Sequence, residues 1–149
     1  MVVDTLQFIA LICTAIAMGG GFAHLLELPR KMELSREDYR TVQQIYRGWA
    51  FLGIAVMGAL ITTTALAFLA RKSGSVFYLS LVAPLCIALS LVVFFAFTFP
   101  VNRATQDWSV LPEGWATLRR RWELSHATGA MLYLVALAAL AISIAVSES

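Results

Sequence analysis

Four apolar stretches, residues 5–26, 49–70, 76–99 and 124–147, divide the chain, and none of them contains an Asp, Glu, Lys or Arg. Each is close to the roughly 20 residues that a helix needs to cross a hydrocarbon core of about 30 Å. The pattern predicts an all-α fold, an antiparallel bundle of four transmembrane helices, with residues 1–149 as a single membrane domain. The punctuation between the stretches refines the elements. Pro29 is expected to stop helix one near Leu28. Ser35 reads as an N-cap, with Asp38 three residues on, and Leu34 and Tyr39 take the places of a hydrophobic staple. Helix two is therefore expected to begin near Arg36 and to run unbroken to Ala70, its polar part projecting about 20 Å beyond the bilayer. Tyr39, Val42, Tyr46 and Trp49 share one face of it.

The turn at residues 71–75 makes helices two and three antiparallel neighbours. Helix three is expected to break or bend near Pro84 and to end at Pro100. After a turn at Leu111-Pro112-Glu113-Gly114, helix four starts and carries Trp115, Leu118, Trp122 and His126 on one face. Helices two and four thus extend on the same side, into a cap over the bundle.

Composition agrees: 60% of residues are hydrophobic and 13% charged, against about a quarter charged in a soluble domain. Met1-Val-Val-Asp4 has no basic residue and the first apolar run is too long for a signal peptide, so helix one is expected to be retained. Cys13 and Cys86 lie within spans and form no CxxC pair, which argues against a thiol–disulfide oxidoreductase. Nine of the eleven basic residues fall between spans one and two or between spans three and four. By the positive-inside rule those two loops are cytoplasmic and both termini lie opposite. The net charge of +2 gives no reason to expect nucleic acid. The implied partners are the lipid bilayer and a lipophilic small molecule, and a homo-oligomer is compatible with the pattern.

Candidate chemistry gathers at the basic end. His24 and His126 are the two histidines, on antiparallel helices and at similar depth. Each has a carboxylate one turn away, Glu27 and Glu123, and residues three apart face the same way on a helix. This is half of the Glu-x-x-His pattern by which bundles hold metals. His24, Glu27, Glu123 and His126 therefore form a candidate site for non-haem iron or zinc. The glutamates read equally as interfacial caps. The same two imidazoles are candidates for axial ligation of a haem b. Gly19-Gly20-Gly21 would admit a flat ligand or a neighbouring helix. Phe94, Phe95, Phe97 and Phe99 read as pocket lining or as lipid-facing residues, Trp108, Trp115 and Trp122 as an interfacial belt, and Arg119–Arg121 as a solvated or headgroup-binding face.

Pro100-Val-Asn102-Arg103, Trp108, and Trp122-Glu-Leu-Ser-His126 together resemble the anthrone-oxygenase-like family of small four-helix membrane proteins. Its pattern near the last helix is Pro-x-Asn, spaced tryptophans, then Trp-x-x-x-His. Many members carry an Arg shortly after that His, where this chain has Ala127-Thr-Gly-Ala130. The resemblance implies oxidation of an anthrone- or quinol-type substrate by oxygen. His126 would be base or metal ligand and His24 its partner, while Asn102 and Arg47 or Arg103 would stabilise an enolate-like oxygen. The readings set beside it are a bis-histidine haem b redox protein and a non-catalytic accessory membrane subunit.

Overall fold

A computed structural model describes residues 1–147, all of whose regular structure is helical. The elements are α1 (Val2–Lys31), α2 (Arg36–Gln43), α3 (Leu52–Leu69), α4 (Ser75–Val93), α5 (Phe99–Thr105) and α6 (Trp115–Ser147). Short 3-10 turns at Gln44–Tyr46 and Trp49–Phe51 join α2 to α3, and a π-helical turn at Phe94–Thr98 joins α4 to α5. Four segments are long and apolar enough to cross a membrane: Val2–Lys31, Trp49–Leu69, Ser75–Thr105 and Trp115–Ser147. The protein is an integral, multi-pass membrane bundle.

The spans form a closed ring in which α1 packs on α3 and α6, and α4 packs on the same two helices. The mid-bundle core is built largely of small residues, Ala10, Ala59, Ala83 and Ala136, around Leu66, Ile87 and Leu140. Lipid is as apolar as leucine, so membrane helices associate through close approach and interhelical hydrogen bonds. Both devices are present. A Cβ at Gly21 would lie 3.1 Å from the Ala130 Cα, so α1 and α6 nearly touch there. Ser80 and Ser143 bond across α4 and α6 at 2.6 Å, and Thr98 and Ser125 do so at 2.7 Å nearer the cap.

Prolines and glycines depart from the boundaries read in the sequence. Pro29 does not stop α1, which continues to Lys31. Its missing N–H removes one intrahelical bond, to the Leu25 carbonyl, but the helix needs only two more residues to reach its end. Pro84 lies inside a continuous α4. Pro100 does not end the third span either. Its ring clashes with the carbonyl four residues back and offers that carbonyl no N–H. The helix widens into the π turn just before it, and the carbonyl concerned, that of Ala96, accepts instead from Arg121 Nη2 at 2.6 Å. The expected unbroken helix two is two pieces: Arg47 leaves the helical region and Gly48 takes φ +90°.

Above the bundle, Tyr39, Val101, Trp108 and Trp122 form a second core, covered by Leu34, Leu111, Trp115 and Leu118. This is the expected cap, but its content corrects the belt reading of the tryptophans: Trp108 and Trp122 are buried. Trp108 is aimed inward by a chain reversal in which Gln106, Asp107 and Trp108 all have positive φ. The Thr105 hydroxyl accepts from the Trp108 N–H at 3.1 Å and stabilises that reversal. Phe95, Phe97 and Phe99 are exposed, the lipid-facing alternative. Arg119 is no solvated residue, since it donates to the Lys31 and Leu34 carbonyls and lies over Trp115.

Candidate functional site

The extension of α1 past Pro29 decides the site. Lys31 stands seven residues after His24, two turns on, and a helical side chain leans back toward the N-terminus. The Lys31 ammonium therefore reaches down the helix and donates to His24 Nδ1 at 3.1 Å. Lys31 is 3% exposed. Its other partners come from different elements: Tyr46 Oη at 3.3 Å, Glu123 Oε2 at 3.0 Å and Glu27 Oε2 at 3.5 Å. An ammonium has three protons and no acceptor, so these contacts use its whole donor capacity.

The carboxylates are held from the far side as well. Glu123, fully buried on α6, accepts from Tyr39 Oη at 2.9 Å and from Gln43 Nε2 at 3.4 Å, both on α2. Glu27 accepts from Tyr46 Oη and keeps 41% of its side chain exposed. Burial, followed by the neighbouring Glu123, raises the Tyr39 phenol above its ordinary range. Burial, then the bond to Glu27, does the same for Tyr46. Both tyrosines therefore stay protonated and act as donors. A continuous path of proton-carrying groups results, from half-exposed Glu27 through Tyr46 and Lys31 to His24, with Glu123 beside it.

The two histidines meet as the sequence suggested. Their ring centroids are 4.3 Å apart, inclined at 33°. Trp122 lies against both, 4.9 Å from His24 and 4.1 Å from His126, while Tyr46 and Trp49 enclose His24 from the other side. Because His24 Nδ1 accepts from the ammonium, its neutral imidazole carries its proton on Nε2. His126 Nε2 is shielded and, among the described residues, has no hydrogen-bond partner. Asn102 joins at one remove: its Oδ1 accepts from Trp122 Nε1 at 2.7 Å and fixes the indole against both imidazoles. Arg47 and Arg103 are not brought to this place; both are exposed, and Arg47 lines a separate cavity on the outside of the cap.

The four expected metal-site residues, His24, Glu27, Glu123 and His126, do converge, but around a lysine. Among the described residues no group of three or more His, Cys, Asp or Glu is placed to hold a metal ion. The ammonium stands between the carboxylates and His24, where a dication would have to bind, so this donor set does not fit a metal. A haem b held between the imidazoles would likewise require the rings to part by the thickness of a porphyrin, since they are in contact. Sequence reading missed Lys31, Tyr39, Tyr46 and Gln43. Lys31 had a signal, its i+7 spacing from His24, but the expected stop at Pro29 assigned it to a loop. A small apolar cleft of about 420 Å³ adjoins the site, lined by Gly19, Gly20, Gly48, Trp49, Phe51 and Leu52. Comparison with protein families, with curated proteins and with solved structures found no match to this chain.

Proposed function

We propose that the protein is a membrane-embedded, oxygenase-like enzyme for a lipophilic phenolic substrate of the anthrone or quinol type, working by proton transfer without metal or haem. In this reading the chain is a relative of the anthrone-oxygenase-like proteins and the cap faces the cytoplasm, following the excess of basic residues on that side. The observation that carries the proposal is the chain of hydrogen-bonded groups Glu27–Tyr46–Lys31–His24, with His126 in ring contact with His24 and its Nε2 without a hydrogen-bond partner among the described residues. A buried lysine and two carboxylates are costly within a membrane protein and mark functional sites. The resemblance supplies the substrate class.

His126 is the base in this scheme, because His24 Nδ1 is already engaged by Lys31. The activated CH2 of an anthrone gives one proton to His126 Nε2, and its electron pair delocalises onto the conjugated oxygen. The carbanion transfers electrons to O2 and forms a C–O bond, giving a peroxide anion. The imidazolium returns the proton, and the hydroperoxide loses water to leave a carbonyl. One substrate and one O2 yield one quinone and one water, with no outside reductant. Lys31 orients His24, and Trp122 lies against both rings.

The test is oxygen uptake and quinone formation by purified protein in lipid nanodiscs, with an anthrone as substrate. His126→Ala should lose at least 100-fold in kcat, the lower end of the effect of a general base, and His24→Ala should lose less. Full turnover by both variants would sink the proposal. A Soret band that vanishes in either variant would replace it with a haem-binding one.

A further inference from the structure

On the outside of the cap a cavity of about 800 Å³ lies between α2 and the 109–111 loop. Arg36 and Gln44 brace its two ends: Arg36 donates to the Leu111 carbonyl and Gln44 Nε2 to the Trp108 carbonyl at 3.2 Å. Arg40, between the braces, and Arg47, just beyond Gln44, also line it. Among the described residues neither guanidinium has an ion pair or a hydrogen bond. Glu37 also lines the cavity, so three arginines and one carboxylate leave a net positive wall. Guanidinium groups match the oxygens of phosphate and carboxylate by paired hydrogen bonds.

The placement of this cavity narrows the ligand. Arg47 is the residue at which the polar cap ends, and the membrane span begins at Trp49. Arg47 lines the charged cavity, while the next two residues, Gly48 and Trp49, line the apolar cleft. The left-handed turn at Gly48 is where the linings meet, Arg47 belonging to one and Gly48 to the other. Gly20 opens the cleft floor, where a Cβ would fall 2.7 Å from Leu52 Cδ1. A positive polar cavity at the water boundary and an apolar cleft at the top of the span suit a molecule with an anionic head and a hydrocarbon tail. We infer that the Arg40/Arg47 cavity and the Gly19–Gly20–Trp49 cleft together form a binding site for one anionic phospholipid, its phosphate on the arginines and the start of one acyl chain in the cleft. The arginine cavity lies apart from the proton relay, the cleft meets it through Trp49, and the inference does not depend on the proposed reaction.

Delipidated full-length protein in a neutral detergent is titrated with dioctanoyl phosphatidylglycerol, dioctanoyl phosphatidylcholine and inorganic phosphate. Binding is read by native mass spectrometry and by the shift in melting temperature. Phosphatidylglycerol should bind at one per chain, at least ten-fold tighter than either of the others. The Arg40→Gln/Arg47→Gln variant should bind it about thirty-fold more weakly, about five-fold for each basic residue at a membrane surface. These side chains have no internal partner, so the lipid-free melting temperature should stay at that of the wild type. Gly19→Leu, whose added carbons enter open space, should weaken the lipid but not phosphate. Equal affinity for the two lipids, or undiminished binding by the double arginine variant, would overturn the site. Phosphate binding as tight as the lipid would replace it with a free-anion site.

Discussion

At the residue scale, the most consequential contact is the one between Lys31 and Glu123, two ionisable groups almost without exposure and 3.0 Å apart. Removing charges from water costs several kcal/mol each, and only a complete set of partners offsets that cost. The set is complete here, with Tyr39 and Gln43 on the carboxylate and His24 and Tyr46 on the ammonium. Deleting one member should therefore cost more than deleting the pair. Lys31→Met alone is expected to destabilise by about 3–5 kcal/mol, leaving an uncompensated buried carboxylate. In the Lys31→Met/Glu123→Gln variant the amide oxygen still accepts from Tyr39, so most of that loss should be recovered. Chemical unfolding in detergent micelles of the two single variants and the double one measures this. Additive losses would show that the pair is not coupled.

At the scale of elements, proline and glycine punctuation separates helices that bend from helices that stop. A punctuating residue is decisive only where the backbone it forces is left strained or unsatisfied, and at Pro100 Arg121 satisfies the orphaned Ala96 carbonyl. The same principle explains why Gly48 is decisive and Gly53 is not. Gly48 has φ +90° with open space around its α-carbon, so any cost of a side chain there comes from the backbone alone. Gly48→Ala is expected to lose roughly 1–2 kcal/mol, the penalty of a left-handed L-residue. Gly53 lies within α3 and its Cβ would also meet nothing, so Gly53→Ala should gain about 0.5–1 kcal/mol through helix propensity. Thermal melts of both variants under one detergent condition compare them. A stabilising Gly48→Ala would mean that the break between α2 and α3 is not held by this turn.

At the scale of the whole molecule, a ring of four antiparallel spans brings the first and last helices together, and that closure puts His24 against His126. It also puts the cap at the end of the bundle opposite Val2 and Ser147. The excess of basic residues near the cap leads us to expect the 71–74 turn outside and the cap inside. With Cys13 and Cys86 changed to serine, Ser73→Cys should react with a membrane-impermeant maleimide on intact cells. Glu113→Cys should react only after permeabilisation. The reverse labelling pattern would invert the orientation. Because Gly21 lets α1 approach Ala130 so closely, the level of the two histidines depends on helix packing, not on the loops.

Much of this was legible in the sequence because it rests on local physics. Hydrocarbon thickness fixes the length of an apolar run, so the four spans follow from residues 5–26, 49–70, 76–99 and 124–147. The short turn at residues 71–75 and the punctuation at Ser35 and Gly114 gave most helix starts, as Ser35 accepting from the Asp38 N–H illustrates. Antiparallel spans with few charges also foretold that His24 and His126 would lie at one level. What the tertiary structure alone decided was the meaning of polar residues near the ends. Whether Pro100 ends its helix depends on Arg121, far away in the chain. Whether Glu123 caps a helix or pairs with Lys31 depends on which side chains α1 and α2 bring against α6. A buried charge is settled by its complete set of neighbours. No periodicity within one helix carries that set, because its members come from three helices and a 3-10 turn.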